Sequence, residues 1–326
     1  MQQMKILRIK IFMVILTLGA FLWGCDSLIY DDLSDCPQGV YVKFFQMTPC
    51  DVDSTFIGDV TSLTVFAFDD KGKLVSTVNR QNVDLNRNFE LLIPVSNGNF
   101  TFIAWTGVDD KFVRNTFSSG VTTKKDVMLA IKSSEKNVVA LTNAQRIWQG
   151  ESASVFLPDP KESGSLYKHI AINLHELTNR VKVIVEFDAS ITALTPRDLN
   201  VAVSSANGTI NIDGSMPLNS PILSYPIQNT KYTENTVAWD FSLLELATGY
   251  HNNLTITYPK TGQQVFSGDL IGSILLNTVS GGINLNCEND FTIKFVLKDY
   301  CAECGTNFSC AVYVNDWLVH SYSTEL

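Results

Sequence analysis

Arg180-Val181-Lys182-Val183-Ile184-Val185-Glu186-Phe187 alternates along its length, with Val181, Val183, Val185 and Phe187 on one face. Side chains on a strand point to opposite faces with a period of two, so this stretch predicts a β-strand with one face in a core. The same rhythm returns downstream in Val237, Trp239, Phe241 and Leu243, and upstream in Val40, Val42 and Phe44. Leu63-Thr64-Val65-Phe66-Ala67-Phe68 is apolar on both faces, as an inner strand covered on both sides would be. Phe100 to Trp105 continues the series. No long amphipathic helix interrupts these strands, and their spacing predicts an all-β chain of sandwich form.

Turn chemistry separates the strands. Asp69-Asp70-Lys71-Gly72-Lys73 and Pro259-Lys260-Thr261-Gly262 read as hairpin loops, and Ser96-Asn97-Gly98-Asn99 as a tight turn. Asn207-Gly208 predicts a hairpin joining residues 199–203 to 209–212, because Asn-Gly adopts the positive φ values that two-residue turns need. Thr195-Pro196 predicts a brief helical turn with Thr195 as its cap. Residues 126–131 and 138–147 fit either short helices or irregular strands, and 311–319 reads as one closing strand. The stretch 150–165, with Pro158, Pro160 and Gly164, reads as a link between two strand-rich halves. The expected division is an N-terminal β-sandwich over 37–160 and a C-terminal one over 161–326.

The start of the chain has a different character. Lys5, Arg8 and Lys10 precede an apolar run at 11–23 that ends Leu22-Trp23-Gly24-Cys25. A basic head and a run of this length fit a secretory signal, and the run is short of the roughly 20 apolar residues a spanning helix needs. Leu-x-Gly-Cys resembles the lipobox of bacterial lipoproteins. That resemblance implies removal of residues 1–24 and acylation of Cys25. Several acyl chains at about 0.8 kcal/mol per buried CH₂ would hold the protein on a membrane. Residues 25–36, with Asp26, Asp31, Asp32 and Asp35, read as an acidic tether.

Net charge is −9, and Lys124-Lys125 is the densest basic pair, which argues against nucleic acid as a partner. Of seven cysteines, six remain once Cys25 is acylated: Cys36, Cys50, Cys287, Cys301, Cys304 and Cys310. An even number in an exported chain predicts disulfides, with Cys36–Cys50 as the simple local pair and the other four open to three pairings. The Cys301-x-x-Cys304 spacing also fits zinc, but the oxidising compartment favours disulfides, and no metal or other cofactor is expected. The four histidines, His169, His175, His251 and His320, form no ligand pattern. There is no nucleophile elbow or phosphate-cradling loop, and the acidic pairs Asp31-Asp32, Asp69-Asp70 and Asp109-Asp110 fall in tether or turns, where calcium is the alternative to plain turn chemistry. The sequence therefore predicts no enzyme. Trp105, Trp239 and Trp317 lie in alternating strands and are expected in the core, and Trp148 is expected to be exposed.

Five patches in order carry a resemblance: residues 29–37 with 40–44, residues 60–75, Phe100 to Trp105 with Gly107, Leu177 to Val183, and Val314-Asn315-Asp316-Trp317. They resemble FimB-type fimbrial anchor subunits of Bacteroidales-type bacteria. The resemblance implies two tandem transthyretin-like β-sandwich domains and an outer-membrane, surface-exposed lipoprotein held through Cys25. It implies that the protein terminates a fimbrial shaft and takes shaft subunits as partners by β-strand addition. Only Cys25 transfers as a functional position, and the Cys287 to Cys310 group departs from the family's pattern. The alternative is a glycan-binding surface lipoprotein, which would show an exposed row of aromatics on one sheet face.

Overall fold

The computed structural model describes residues 33–324 except 115, 140, 142–145, 192–194, 261, 276–282, 300–307 and 316. The chain is all-β. The first half comprises β1 (Gln38–Phe45), β2 (Gly58–Asp69), β3 (Leu74–Leu85), β4 (Leu91–Pro94), β5 (Gly98–Thr106), β6 (Phe112–Arg114), β7 (Met128–Ile131), β8 (Trp148–Glu151) and β9 (Val155–Leu157). A helical turn, α1 (Pro160–Ser163), leads to β10 (Leu166–Asn173) and β11 (His175–Glu176). Then come β12 (Thr178–Phe187), β13 (Asn200–Ser205), β14 (Thr209–Asn211), β15 (Leu223–Tyr225), β16 (Asn229–Tyr232), β17 (Thr236–Leu244), β18 (Asn252–Tyr258) and β19 (Gln263–Asp269). A short helix, α2 (Leu270–Leu275), precedes β20 (Asp290–Asp299), β21 (Phe308–Val314) and β22 (Trp317–Thr324).

Two sheets build the first half. One has the order β10-β1-β4; the other runs β11-β8-β5-β2-β3, with β9 also paired to β5. Val40, Val42 and Phe44 of β1 face Val65, Ala67, Phe102 and Ala104 of the larger sheet in one buried core. The opposite face of β2 and β5 presents Phe66, Phe68, Ile103 and Trp105, and these join the core of the second half. Leu63 to Phe68 is apolar on both faces because both faces are covered. In the second half, β16-β17-β12-β20-β21-β22 packs near β15-β13-β18-β19. The strand that alternates from Arg180 to Phe187 is β12, flanked by antiparallel β17 and parallel β20, with Val181, Val183 and Val185 fully buried.

The halves are interleaved. Residues 166–176 lie beyond the expected division at 160, yet β10 pairs in parallel with β1 over eight positions and β11 pairs with β8. A small sheet, β14-β7-β6, mixes strands of both halves. Gly150 sits under this crossing, where an added Cβ would stand 2.1 Å from the Asn173 carbonyl oxygen.

Several local expectations are corrected. Asn207-Gly208 makes no hairpin: β13 pairs with β15 and β18, and β14 pairs with β7. Asn207 is fully buried, its amide donating to the Leu244 and Glu245 carbonyls and accepting from the Tyr225 hydroxyl. Non-local hydrogen bonds have taken the side chain that would otherwise favour a two-residue turn. The closing stretch 311–319 is broken by Asn315, at φ 46°, into the hairpin β21–β22. In residues 126–131 a 3₁₀ turn, Lys124–Asp126, ends and β7 follows, with no longer helix. Trp105 and Trp239 are buried as expected; Trp148 is also buried, and its indole N–H finds no acceptor among the described residues.

Candidate functional site

The residues with most bearing on function gather at two places: the entry of the chain into its first strand, and the joint where the halves cross. At the entry, β1 is the middle strand of its sheet, held by β10 on one side and β4 on the other. Gln38 pins its first position. Its amide nitrogen lies 3.0 Å from Ser163 Oγ and 3.2 Å from the Pro158 and Gly164 carbonyls, and its amide oxygen accepts from the Asn97 N–H. On the outer face Glu90 pairs with Lys43 of β1 and His169 of β10, each at 3.3 Å. Burial opposes its charge, but these two partners outweigh it and hold the Glu90 carboxyl below its ordinary range.

At the joint, the segment Asn173–Arg180 carries the chain from one half to the other. Asn173 is tied to residue 47 twice, accepting from the Met47 N–H and donating to its carbonyl. The Arg180 N–H donates to the Asn289 carbonyl, and the Asn289 amide donates to the carbonyls of Glu176 and Thr178. The Arg180 guanidinium forks between Glu176 and both carboxylate oxygens of Asp290. Burial alone would lower the Arg180 pKa, but these hydrogen bonds raise it, while Asp290 is held below its usual range by the guanidinium. Asn179 accepts from the buried Leu246 N–H. The Leu177 to Val183 patch thus spans the end of the joint and the start of β12. A cleft of about 230 Å³ opens here, lined by Gln46, Thr48, His175, Glu176 and Glu245 among others. Burial pushes the Glu245 carboxyl up to about 7.

The cysteines give a correction. Cys50 is bonded to Cys287, 237 positions away in sequence, and not to Cys36. Cys36 is a free, half-buried thiol just before β1. Neighbours in sequence are not neighbours here, because β1 carries Cys36 and Cys50 to opposite ends of one strand. Cys310 is buried in β21. Cys25, Cys301 and Cys304 lie outside the described residues. Among the described residues no group of histidine, cysteine and carboxylate side chains could hold a metal ion, and no helix is long and apolar enough to cross a membrane. His169 and His175 sit at the entry and the joint; His251 lies apart, 3.4 Å from Ser204 Oγ. Sequence reasoning missed the Glu176–Arg180–Asp290 group, for which the only signal was a charged residue at the first position of a strongly alternating strand.

Comparison with known proteins fits this architecture. The family model described as fimbrillin-A associated anchor proteins Mfa1 and Mfa2 matches residues 33–323. The chain belongs to this family. The minor fimbrium anchoring subunit Mfa2 of Porphyromonas gingivalis is 32% identical over 331 aligned residues, covering 100% of both chains. The solved structure of the Porphyromonas gingivalis fimbrial anchor protein Mfa2 superposes with a TM-score of 0.77, over 88% of this chain and 100% of that one. The same fold is found in a candidate polysaccharide-binding protein of Bacteroides thetaiotaomicron, with TM-score 0.73, 21% identity, and coverage of 88% of this chain and 98% of that one.

Proposed function

We propose that this member of the anchor family is the lipid-held base subunit of a fimbria. In this reading Cys25 is acylated after removal of residues 1–24, and the protein stands on the outer face of the outer membrane. It is joined there to a shaft subunit, so that the shaft ends on it. The observation that carries the reading is the place of β1. The first strand after the tether is a central strand, paired on both sides and anchored by Gln38. A chain end so committed cannot be offered to a neighbour, so the subunit is suited to accept a strand or to be clasped by one. β-strand addition needs an unpaired edge, and among the described residues the closing strand β22 offers one, since it ends its sheet and pairs with β21 alone. The two strand-built modules, 37–160 and 161–326, with residues 166–176 lent to the first, would act as a stiff foot.

The glycan-binding alternative gains no platform from the exposed aromatics on β10-β1-β4. Tyr41 stacks on His169 at 5.0 Å and stands tilted against Tyr167 at 5.7 Å, so a ring face of Tyr41 is already taken by His169. The test is Cys25→Ser in the native bacterium. Fibres and this protein together in the medium support the reading, and fibres that stay cell-bound overturn it.

A further inference from the structure

We infer that the Cys50–Cys287 bridge is a tension-bearing short circuit: it takes β2 to β19, all of the first half after β1 and most of the second, off the path of pulling force between the protein's two ends. The inference rests on the anchor reading for its biological setting and on the covalent layout for its physics.

A base subunit held at its N-terminus and pulled by a fibre transmits force along its backbone. Without a cross-link, every residue between the ends is in series. If the sheets yield, the chain pays out until it is straight. The bridge changes this order. Force entering ahead of Gln38 passes along β1 to Cys50, crosses to Cys287, and enters β20 at Asp290, three residues further on. β20 lies inside the six-stranded sheet between β12 and β21, and leads into β21 and β22 at the C-terminus. Residues 51–286, which include all of β2 to β19 and α2, form a closed loop beside the path.

The surroundings suit such a role. β1 meets force along its own axis with β10 and β4 on either side, so its hydrogen bonds are loaded together in shear and not one after another. Gln38 fixes the point where force enters. Past the end of β1, Asn173 ties residue 47 to the strand that continues the joint. On the other side of the bridge Cys287 N donates to the Asn284 carbonyl, and Asn289 is tied to residues 176, 178 and 180. Both cysteines therefore lie in turns fastened to the same crossing segment, and the bridge closes over the joint. Cys50 is exposed, which leaves the bridge open to reductants in the medium.

The test pulls the chain from residue 25 to residue 326 by its two ends, one molecule at a time, in detergent, with and without Cys50→Ser/Cys287→Ser. With the bridge, complete unfolding pays out the open ends alone, roughly 200 Å at about 3.4 Å per residue. Without it, the 237 positions between the cysteines are added, and the extension grows by about 800 Å at the same rise. Dithiothreitol on the unsubstituted protein should reproduce the long extension, which covers the case of a variant that folds badly. An extension near 1000 Å in the untreated protein, or peptide mapping that finds Cys50 and Cys287 as separate thiols, would overturn the inference. Neither readout uses lipid or fibre, so its failure is distinct from failure of the anchor reading. That reading is decided by release of fibres from Cys25→Ser cells.

Discussion

Replacing Arg180 by methionine should cost about 3 kcal/mol of folding stability, and nearly all of it should come from one carboxylate. The Arg180 side chain is 19% exposed and lies between Glu176, 4% exposed, and Asp290, 72% exposed. An ion pair with so exposed a partner as Asp290 contributes about 0–1 kcal/mol after screening. Glu176 is the opposite case. Removing the cation from a buried pair leaves a charge without solvent or counter-charge and costs about 3–5 kcal/mol. Two remaining partners moderate this: the Thr178 hydroxyl donates to Glu176 at 2.6 Å, and Arg146 stands 3.9 Å from its other oxygen. The lower end of the range is therefore expected. Methionine keeps the apolar stem, so lost packing adds little. The assay is equilibrium urea unfolding followed by circular dichroism and tryptophan fluorescence, whose coincidence checks that one transition is being read. Arg180→Lys should fall between the two, since a point charge replaces a fork. The double variant Arg180→Met/Glu176→Gln should be more stable than Arg180→Met alone, because no unpaired charge is left inside. A loss below about 1 kcal/mol in Arg180→Met, or a double variant no better than the sum of the singles, would refute the reasoning.

Glu245→Gln should stabilise the protein in alkaline solution. The folded-state pKa of Glu245 is raised to about 7 from 4.5, so the folded form binds the proton more tightly. Stability contributed by this group is therefore lost as pH climbs from 4.5 to 7, and the variant should gain about 3 kcal/mol at pH 8 and little at pH 4.5, read as thermal midpoints across pH. Trp148→Phe removes a buried N–H that has no acceptor among the described residues, and denaturant unfolding should show it unchanged or up to about 1 kcal/mol more stable. Gly150→Ala should cost at least about 2 kcal/mol in the same assay, because the new methyl meets backbone that cannot swing aside.

Where the sequence was legible, the cause was local. The alternation at 180–187 is a property of eight consecutive residues, and β12 follows it. The loops at 69–73 and 259–262 carry their own turn residues, and the hairpins β2–β3 and β18–β19 form across them. Thr195-Pro196 opens the 3₁₀ turn Pro196–Asp198. Where it was illegible, the deciding partner was far along the chain. Asn207 looks like a turn residue until the carbonyls of Leu244 and Glu245 are brought to it. Cys50 looks like the partner of Cys36 until the crossing of the halves brings Cys287 beside it. Trp148 lies at the edge of a stretch with little periodicity, and its burial depends on β11 returning to pair with β8. The crossing itself left no local mark, because a strand that pairs with its own half and one that pairs across a boundary read alike.

That crossing bears on what an anchor must do. Were the halves joined by a plain linker, pulling on one would swing it against the other before loading either. Here β10 and β11, contributed from beyond the expected boundary, close the sheets of the first half, and Phe66, Phe68, Ile103 and Trp105 of the first half sit in the core of the second. Separating the halves would expose these aromatic and aliphatic groups, each worth about 1.5–3 kcal/mol when fully buried. It would also strip β1 of its parallel partner and leave Glu176 without Arg180. A hinge between the halves is thus opposed by hydrophobic, hydrogen-bonding and electrostatic terms that act at the same few residues. The joint is therefore braced against bending by several kinds of contact at once, and the disulfide is placed across it.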